Sequence, residues 1–86
     1  MKKETLRVVN ESGLHARPAA QLTRLAQSFS SDIIISGGGE KANAKSIIDL
    51  LSSGFNMGME IEVTAVGTDE DAALEAICDL IRGFTE

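Results

Sequence analysis

The chain passes from its first predicted strand to its first predicted helix through the segment Gly13-Leu14-His15-Ala16-Arg17-Pro18-Ala19-Ala20. This segment contains the only histidine and the only proline among 86 residues. It follows a turn signal over residues 10–13, where Asn, Ser and Gly cluster. The sequence therefore predicts a tight connection that presents His15 at the start of a helix.

The pattern on either side of this segment predicts four strands and three helices. Leu6 and Val8 alternate with Arg7 and Val9, close to the period of two that is typical of a strand. The predicted strands cover residues 4–10, 33–35, 40–44 and 60–65. The predicted helices cover residues 16–27 and 45–51, with Ser46 as N-cap of the second, and a stretch after Gly67 in which Thr68 and Asp71 resemble a capping box.

The element order βαββαβα predicts an α+β open-faced two-layer sandwich. A helical crossover joins the first two strands, so these strands should be parallel to each other. The fourth strand alternates most cleanly and can fit between them, as in a split βαβ unit. We predict a four-stranded antiparallel sheet in the order 1-4-2-3, with the polar third strand at one edge and the helices on one face.

Length and composition limit the class of protein. We expect a single domain over residues 1–86. The net charge of −5 and the lack of an aromatic platform argue against nucleic-acid binding. No apolar run is long enough for membrane insertion, and nothing resembles a secretory signal. Cys78 is the only cysteine, with no metal-ligand set around it, and we expect it to be a buried apolar residue. These features favour the cytoplasm, with no metal and no cofactor.

The placement of His15 suggests chemistry on a phosphate. The N-terminal end of a helix has unpaired N–H groups and a positive dipole end, which together favour an anion. The N–H groups of Ala16 and Arg17, the Arg17 guanidinium and a turn stiffened by Pro18 would form a phosphate cradle beside a nucleophilic ring. A histidine N-cap without any chemistry is the alternative that the residues leave open.

Residues 13–19 resemble the active-site motif of the HPr family, the histidine-containing phosphocarriers of the bacterial phosphoenolpyruvate-dependent phosphotransferase system. The resemblance extends over essentially the whole chain and includes Ala44-Lys45-Ser46-Ile47 and Gly54. It implies that His15 accepts a phosphoryl group on Nδ1 from enzyme I and passes it to a histidine of an enzyme IIA domain. It also implies that Arg17 pairs with the phosphate, and that the protein is a stoichiometric carrier rather than a turnover enzyme.

The resemblance adds a regulatory position and a docking surface. Ser46 matches the serine that a dedicated kinase/phosphorylase modifies in some bacteria, and a phosphate there would oppose an acidic partner. We expect Ile47 and Leu51 to be partly exposed, although full burial is an equal alternative. The residues expected at the docking surface are Arg24, Lys45, Ile47, Ile48 and Leu51.

Two functions of different classes stay open. The first is a monomeric phosphocarrier in sugar uptake or in a regulatory branch such as the nitrogen-type system. The second is mainly a regulatory binding module controlled through Ser46. Gln27 and Asp49 stand where many sugar-transport members are basic, which favours considering the second.

Overall fold

The computed structural model of the chain describes residues 1–85. The elements follow the predicted order βαββαβα. The strands are β1 (Lys2–Arg7), β2 (Asp32–Gly37), β3 (Glu40–Asn43) and β4 (Glu60–Val66). The helices are α1 (Ala16–Gln27), α2 (Ile47–Ser53) and α3 (Glu70–Gly83).

The four strands form one antiparallel sheet in the order β1-β4-β2-β3. Strand β4 is central, since Val63 is in register with Glu4 of β1 on one side and with Ile35 of β2 on the other. The predicted topology is therefore confirmed. The split βαβ arrangement places the start of α1, and with it His15, beyond the end of edge strand β1.

One layer of core lies between the sheet and the three helices. Strand β4 alternates as predicted, with Ile61, Val63 and Ala65 buried. The helices complete the core with apolar side chains that are entirely buried, namely Ala19, Leu22, Ala26, Leu50, Ala73, Ile77 and Ile81. The prediction of an open-faced sandwich is confirmed. Within residues 1–85, no helix is long and apolar enough to cross a membrane.

Strand β1 ends earlier than the sequence predicts. The alternation suggested a strand to Asn10, but the strand stops at Arg7. Val8 is still buried, and it exchanges hydrogen bonds with the neighbouring loop: its N–H donates to Met59 O at 2.9 Å, and its carbonyl accepts from Gly58 N at 2.7 Å. The chain then bends into a turn, in which Gly13 N donates to Asn10 O at 3.1 Å.

The N-terminus of α3 differs from the predicted capping box. Thr68 was the expected cap, but the N-cap residue is Asp69, and its side chain does not cap its own helix. The Asp69 carboxylate instead accepts the N–H groups of Ser30 and Ser31, both at 2.9 Å, and the Ser31 hydroxyl. Asp69 therefore joins the α1–β2 connection to the start of α3, a long-range contact that local spacing could not indicate.

These hydrogen bonds give the stability of the fold a defined acid dependence. The Ser31 hydroxyl, followed by the Ser30 amide, lowers the pKa of Asp69 to about 2. A carboxylate with a lowered pKa stabilises the fold above its unfolded pKa of about 3.9, and this contribution is lost as the pH falls towards the folded value. We expect the difference in thermal midpoint between the wild type and Asp69→Asn to be largest near neutral pH and to shrink between about pH 4 and pH 2.

Circular-dichroism melting curves at several pH values would measure this difference. Glu75→Gln, which removes an exposed carboxylate from the same helix, is the matched control. Its midpoint should follow that of the wild type at a constant offset. A constant offset for Asp69→Asn as well would contradict the assigned role of Asp69.

The cysteine is buried as predicted. Cys78 lies on the inner face of α3 with no exposed surface. Burial raises the pKa of its thiol to about 11, so almost no thiolate forms at neutral pH. Cys78 is therefore an unreactive part of the core.

Candidate functional site

His15 is the N-cap residue of α1. Its backbone is extended, with φ −98° and ψ −163°, and its carbonyl accepts the N–H of Ala19 at 2.7 Å. The side chain makes no capping hydrogen bond within the described part of the chain and is exposed. The imidazole therefore stands at the helix end, where the N–H groups of the first turn point outward and the dipole is positive.

The backbone that leads to His15 is held against the loop after α2. Gly13 has φ +66°, and a Cβ atom there would collide with the Phe55 carbonyl oxygen and lie 2.9 Å from Asn56 Cα. The next residue, Leu14, is 3% exposed, and its N–H donates to Phe55 O at 2.9 Å. Only glycine tolerates both this φ and this close approach. The position of His15 thus depends on a loop forty residues away in sequence.

Two open clefts meet at His15. The larger, of about 210 Å³, lies between the turn before α1 and the end of α2, and is lined by Ser12, Leu14, His15, Leu51, Gly54, Phe55 and Asn56. The smaller, of about 170 Å³, is lined by Ser12, His15, Ala16, Arg17 and Pro18. The predicted cradle residues Ala16, Arg17 and Pro18 thus line one cleft together with His15. Within residues 1–85, no three His, Cys, Asp or Glu side chains are grouped as metal ligands.

Helix α2 presents an apolar surface beside the larger cleft. Ile47 is 38%, Ile48 71% and Leu51 43% exposed, whereas Leu50 is fully buried. We call these three exposed residues the α2 patch. The expected partial exposure of Ile47 and Leu51 is confirmed. Because Leu51 also lines the cleft next to His15, the patch is continuous with the site.

Ser46 is the N-cap of α2, as predicted. Its hydroxyl accepts the Asp49 N–H at 3.3 Å, and the Asp49 carboxylate accepts the Asn43 N–H at 3.1 Å. Ser46 is half-buried and lines neither cleft at His15. It directly precedes the α2 patch, so a charge on its hydroxyl would alter that surface rather than the His15 clefts.

The two basic residues expected at the docking surface have different surroundings. Arg24 is exposed in the last turn of α1. The Lys45 ammonium donates to Phe29 O at 2.7 Å, and Gln27 Nε2 donates to Lys45 O at 3.2 Å. Lys45 and Gln27 therefore join the entry of α2 to the end of α1. Arg24 presents its charge more openly than Lys45.

Sequence reasoning missed several residues of the site. Ser12 lines both clefts but was predicted only as part of a turn. Gly54, Phe55 and Asn56 form the far wall of the larger cleft, and of these three only Gly54 is noted in the sequence, as part of the resemblance to the HPr family. The signal available in the sequence was Gly54, since a glycine commonly ends a helix and reverses the chain. In the structure Gly54 ends α2 with φ +73°, and the chain turns back towards His15. The contact with Gly13 itself could not be inferred from local pattern.

The chain is similar in sequence and in fold to HPr proteins. A family model described as the PTS HPr component phosphorylation site matches residues 2–83. The solved structure of an HPr from Thermoanaerobacter tengcongensis is 43% identical, with a TM-score of 0.91, over 95% of this chain and 92% of that one. The phosphocarrier protein HPr of Bacillus anthracis is 37% identical, with a TM-score of 0.87, over 92% and 94% of the two chains.

A third solved relative is described differently. The Bacillus subtilis catabolite repression protein Crh is 36% identical, with a TM-score of 0.77, over 100% of this chain and 99% of that one. Its structure is described as a dimer with a swapped domain, and an HPr of T. tengcongensis has also been solved as a dimer. The similarities therefore include both phosphocarriers and a catabolite-repression protein.

Proposed function

The chain belongs to the HPr family of phosphocarriers, and from this premise we propose that His15 is its phosphoryl acceptor. The observation that carries the proposal is the exposed imidazole at the N-terminus of α1, where two open clefts meet. An incoming phosphoryl group can reach the ring from solvent, and the helix end favours its negative charge. We expect a monomer to suffice, since both clefts are open in a single chain.

The first transfer moves a phosphoryl group from enzyme I to His15. The lone pair on Nδ1 of the neutral ring attacks the phosphorus of the donor phosphohistidine. One N–P bond forms as the other breaks, and the donor nitrogen recovers its electron pair. Arg17 and the Ala16 N–H stabilise the phosphate through charge-assisted hydrogen bonds, while Pro18 restricts the turn.

The second transfer reverses these roles. A histidine of an enzyme IIA domain attacks the phosphorus, and His15 Nδ1 becomes the leaving nitrogen. The protein is therefore a cytoplasmic carrier that is regenerated unchanged, in sugar uptake or in a regulatory branch of the phosphotransferase system. Arg24, Lys45 and the α2 patch form the docking surface for both partners, because a small apolar area with a charged rim is typical of transient interfaces.

Labelling with radioactive phosphoenolpyruvate and purified enzyme I tests the acceptor. We expect one phosphoryl group per chain, labile in acid and stable in base, as for a phosphoramidate. A phosphocarrier of known activity serves as positive control for enzyme I. Label that is stable in acid, or no label when the positive control is labelled, would contradict the proposal.

A second function is favoured by the position of Ser46. Ser46 precedes the α2 patch and is partly accessible to solvent. The chain is also similar to Crh, which is a catabolite-repression protein. We propose that a serine kinase/phosphorylase can modify Ser46 and so control which partners bind. The phosphate would disturb the bond from Asp49 N and place negative charge next to Ile47.

Ser46→Asp tests this control. We expect phosphorylation by enzyme I to slow by about tenfold, because a like charge at the rim of an acidic partner's interface lowers the association rate. Ser46→Asn is the matched control, since it keeps a capping side chain without the charge. At high salt, the phosphorylation rate of Ser46→Asp should approach that of Ser46→Asn, because salt screens the added charge. A Ser46→Asp rate equal to that of Ser46→Asn at low salt would contradict inhibitory control.

A further inference from the structure

The backbone before His15 is held more firmly than its side chain. The side chain makes no capping hydrogen bond within residues 1–85, and it is exposed, so packing does not fix it. The residue immediately before it, Leu14, is buried and its backbone is bonded to the loop after α2. The Gly13–Leu14 peptide group therefore contributes to the position of the His15 Cα from the N-terminal side, while the bond from Ala19 N–H to the His15 carbonyl holds it from the helix side.

That peptide group is bonded on both of its edges. On one side Leu14 N–H donates to Phe55 O at 2.9 Å. On the other side the Gly13 carbonyl accepts the side-chain amide of Asn10, with Nδ2 at 2.6 Å. Because a peptide unit is planar, two hydrogen bonds on opposite edges fix its rotation as well as its position.

Asn10 is unusual among the polar residues of the chain in being only 2% exposed. The hydrogen bond from Nδ2 to Gly13 O offsets part of the cost of burying this amide. Its backbone takes part in the same turn, since Asn10 O accepts Gly13 N–H at 3.1 Å. Asn10 thus closes the turn twice, once through its carbonyl and once through its amide side chain.

We propose that Asn10 is a positioning residue for phosphoryl transfer, which acts on His15 by holding the Gly13–Leu14 peptide group through its Nδ2–Gly13 O hydrogen bond. The proposal rests on the proposed function of His15 as acceptor. Asn10 is buried, so it would influence the reaction geometry rather than contact the partner. A reaction that depends on the alignment of two groups can lose a large factor in rate when one of them is displaced by about 1 Å.

Two variants remove the donor in different ways. Asn10→Ala deletes the side chain, and Asn10→Asp keeps its size but replaces the NH₂ group by an oxygen that cannot donate when ionised. Ile77→Val is the matched control, because it truncates a fully buried residue of α3 and leaves the turn intact. All rates are measured with enzyme I and phosphoenolpyruvate at a temperature where melting curves show every variant to be folded.

We expect both Asn10 variants to lower the maximal phosphorylation rate by about tenfold, with an apparent KM for the carrier within twofold of wild type. Hydrogen exchange of the Leu14 amide should be faster than in the wild type. Exchange of the Val63 amide in the central strand should change only by the amount that the substitution changes the free energy of global unfolding. Ile77→Val should leave the phosphorylation rate unchanged. It should not accelerate hydrogen exchange of the Leu14 amide more than that of the Val63 amide.

The outcomes separate this inference from the function beneath it. If the wild type accepts no phosphate while a known carrier does, the assignment of His15 fails, and the role of Asn10 fails with it. If the wild type is phosphorylated and the Asn10 variants match Ile77→Val in rate, only the positioning role is overturned. A lower rate with unchanged Leu14 exchange overturns it equally, because the peptide group would not have been released.

Discussion

His15→Ala is expected to eliminate the acid-labile phosphorylation of this protein by enzyme I completely. The substitution removes the only imidazole in the chain, and with it the ring nitrogen that would attack the phosphorus. Because His15 is exposed and makes no capping hydrogen bond in the described residues, stability should change by only about 0.5 kcal/mol. Quantitative labelling followed by acid treatment measures the first effect, and a thermal melt measures the second.

Ser46→Ala is a useful companion to His15→Ala. It retains His15, the proposed acceptor, and removes only a hydroxyl that lies outside both clefts, so its phosphorylation by enzyme I should persist. Acid-labile label that remains on His15→Ala would show that another group accepts the phosphoryl group. Loss of label from both variants would instead indicate that docking had been damaged.

Gly13→Ala is expected to destabilise the fold by about 3 kcal/mol, a large fraction of the stability of a small domain. Two effects add at this position. A φ of +66° disfavours any residue with a Cβ atom, and that Cβ would meet the backbone of Phe55 and Asn56. The loop after α2 would have to move away from the turn, which also opens the larger cleft at His15. Urea denaturation with a shared m-value gives the change in free energy.

Gly39→Ala separates these two effects. Gly39 has φ +83°, yet nothing lies within 4 Å of a Cβ atom built on it. Its variant should therefore show only the backbone strain, about 1 kcal/mol. If Gly13→Ala and Gly39→Ala cost the same free energy of unfolding, the close approach between the turn and Phe55 does not contribute.

The sequence by itself determined the architecture of this protein. The alternation of apolar and polar residues over 60–65 indicated a strand with one buried face. The crossover through α1 made β1 and β2 parallel, so this strand could pair between them. These signals are local periodicities that reflect which side chains avoid water, so a single sequence carries them. The motif at His15 was likewise visible, because a helix N-terminus is signalled by neighbouring residues.

Only the tertiary structure decided what holds the site in place. The sequence pattern predicts Thr68 as the cap of α3, whereas in the fold the N-cap residue is Asp69, whose carboxylate accepts the N–H groups of Ser30 and Ser31. Residues 10–13 are predicted only as a turn, whereas in the fold the next residue, Leu14, donates its N–H to Phe55 O. Hydrogen bonds between segments forty residues apart leave no periodic trace, since their partners are chosen by packing and not by spacing. The residue proposed as phosphoryl acceptor can therefore be recognised in the sequence, whereas the contacts that position it are a property of the fold.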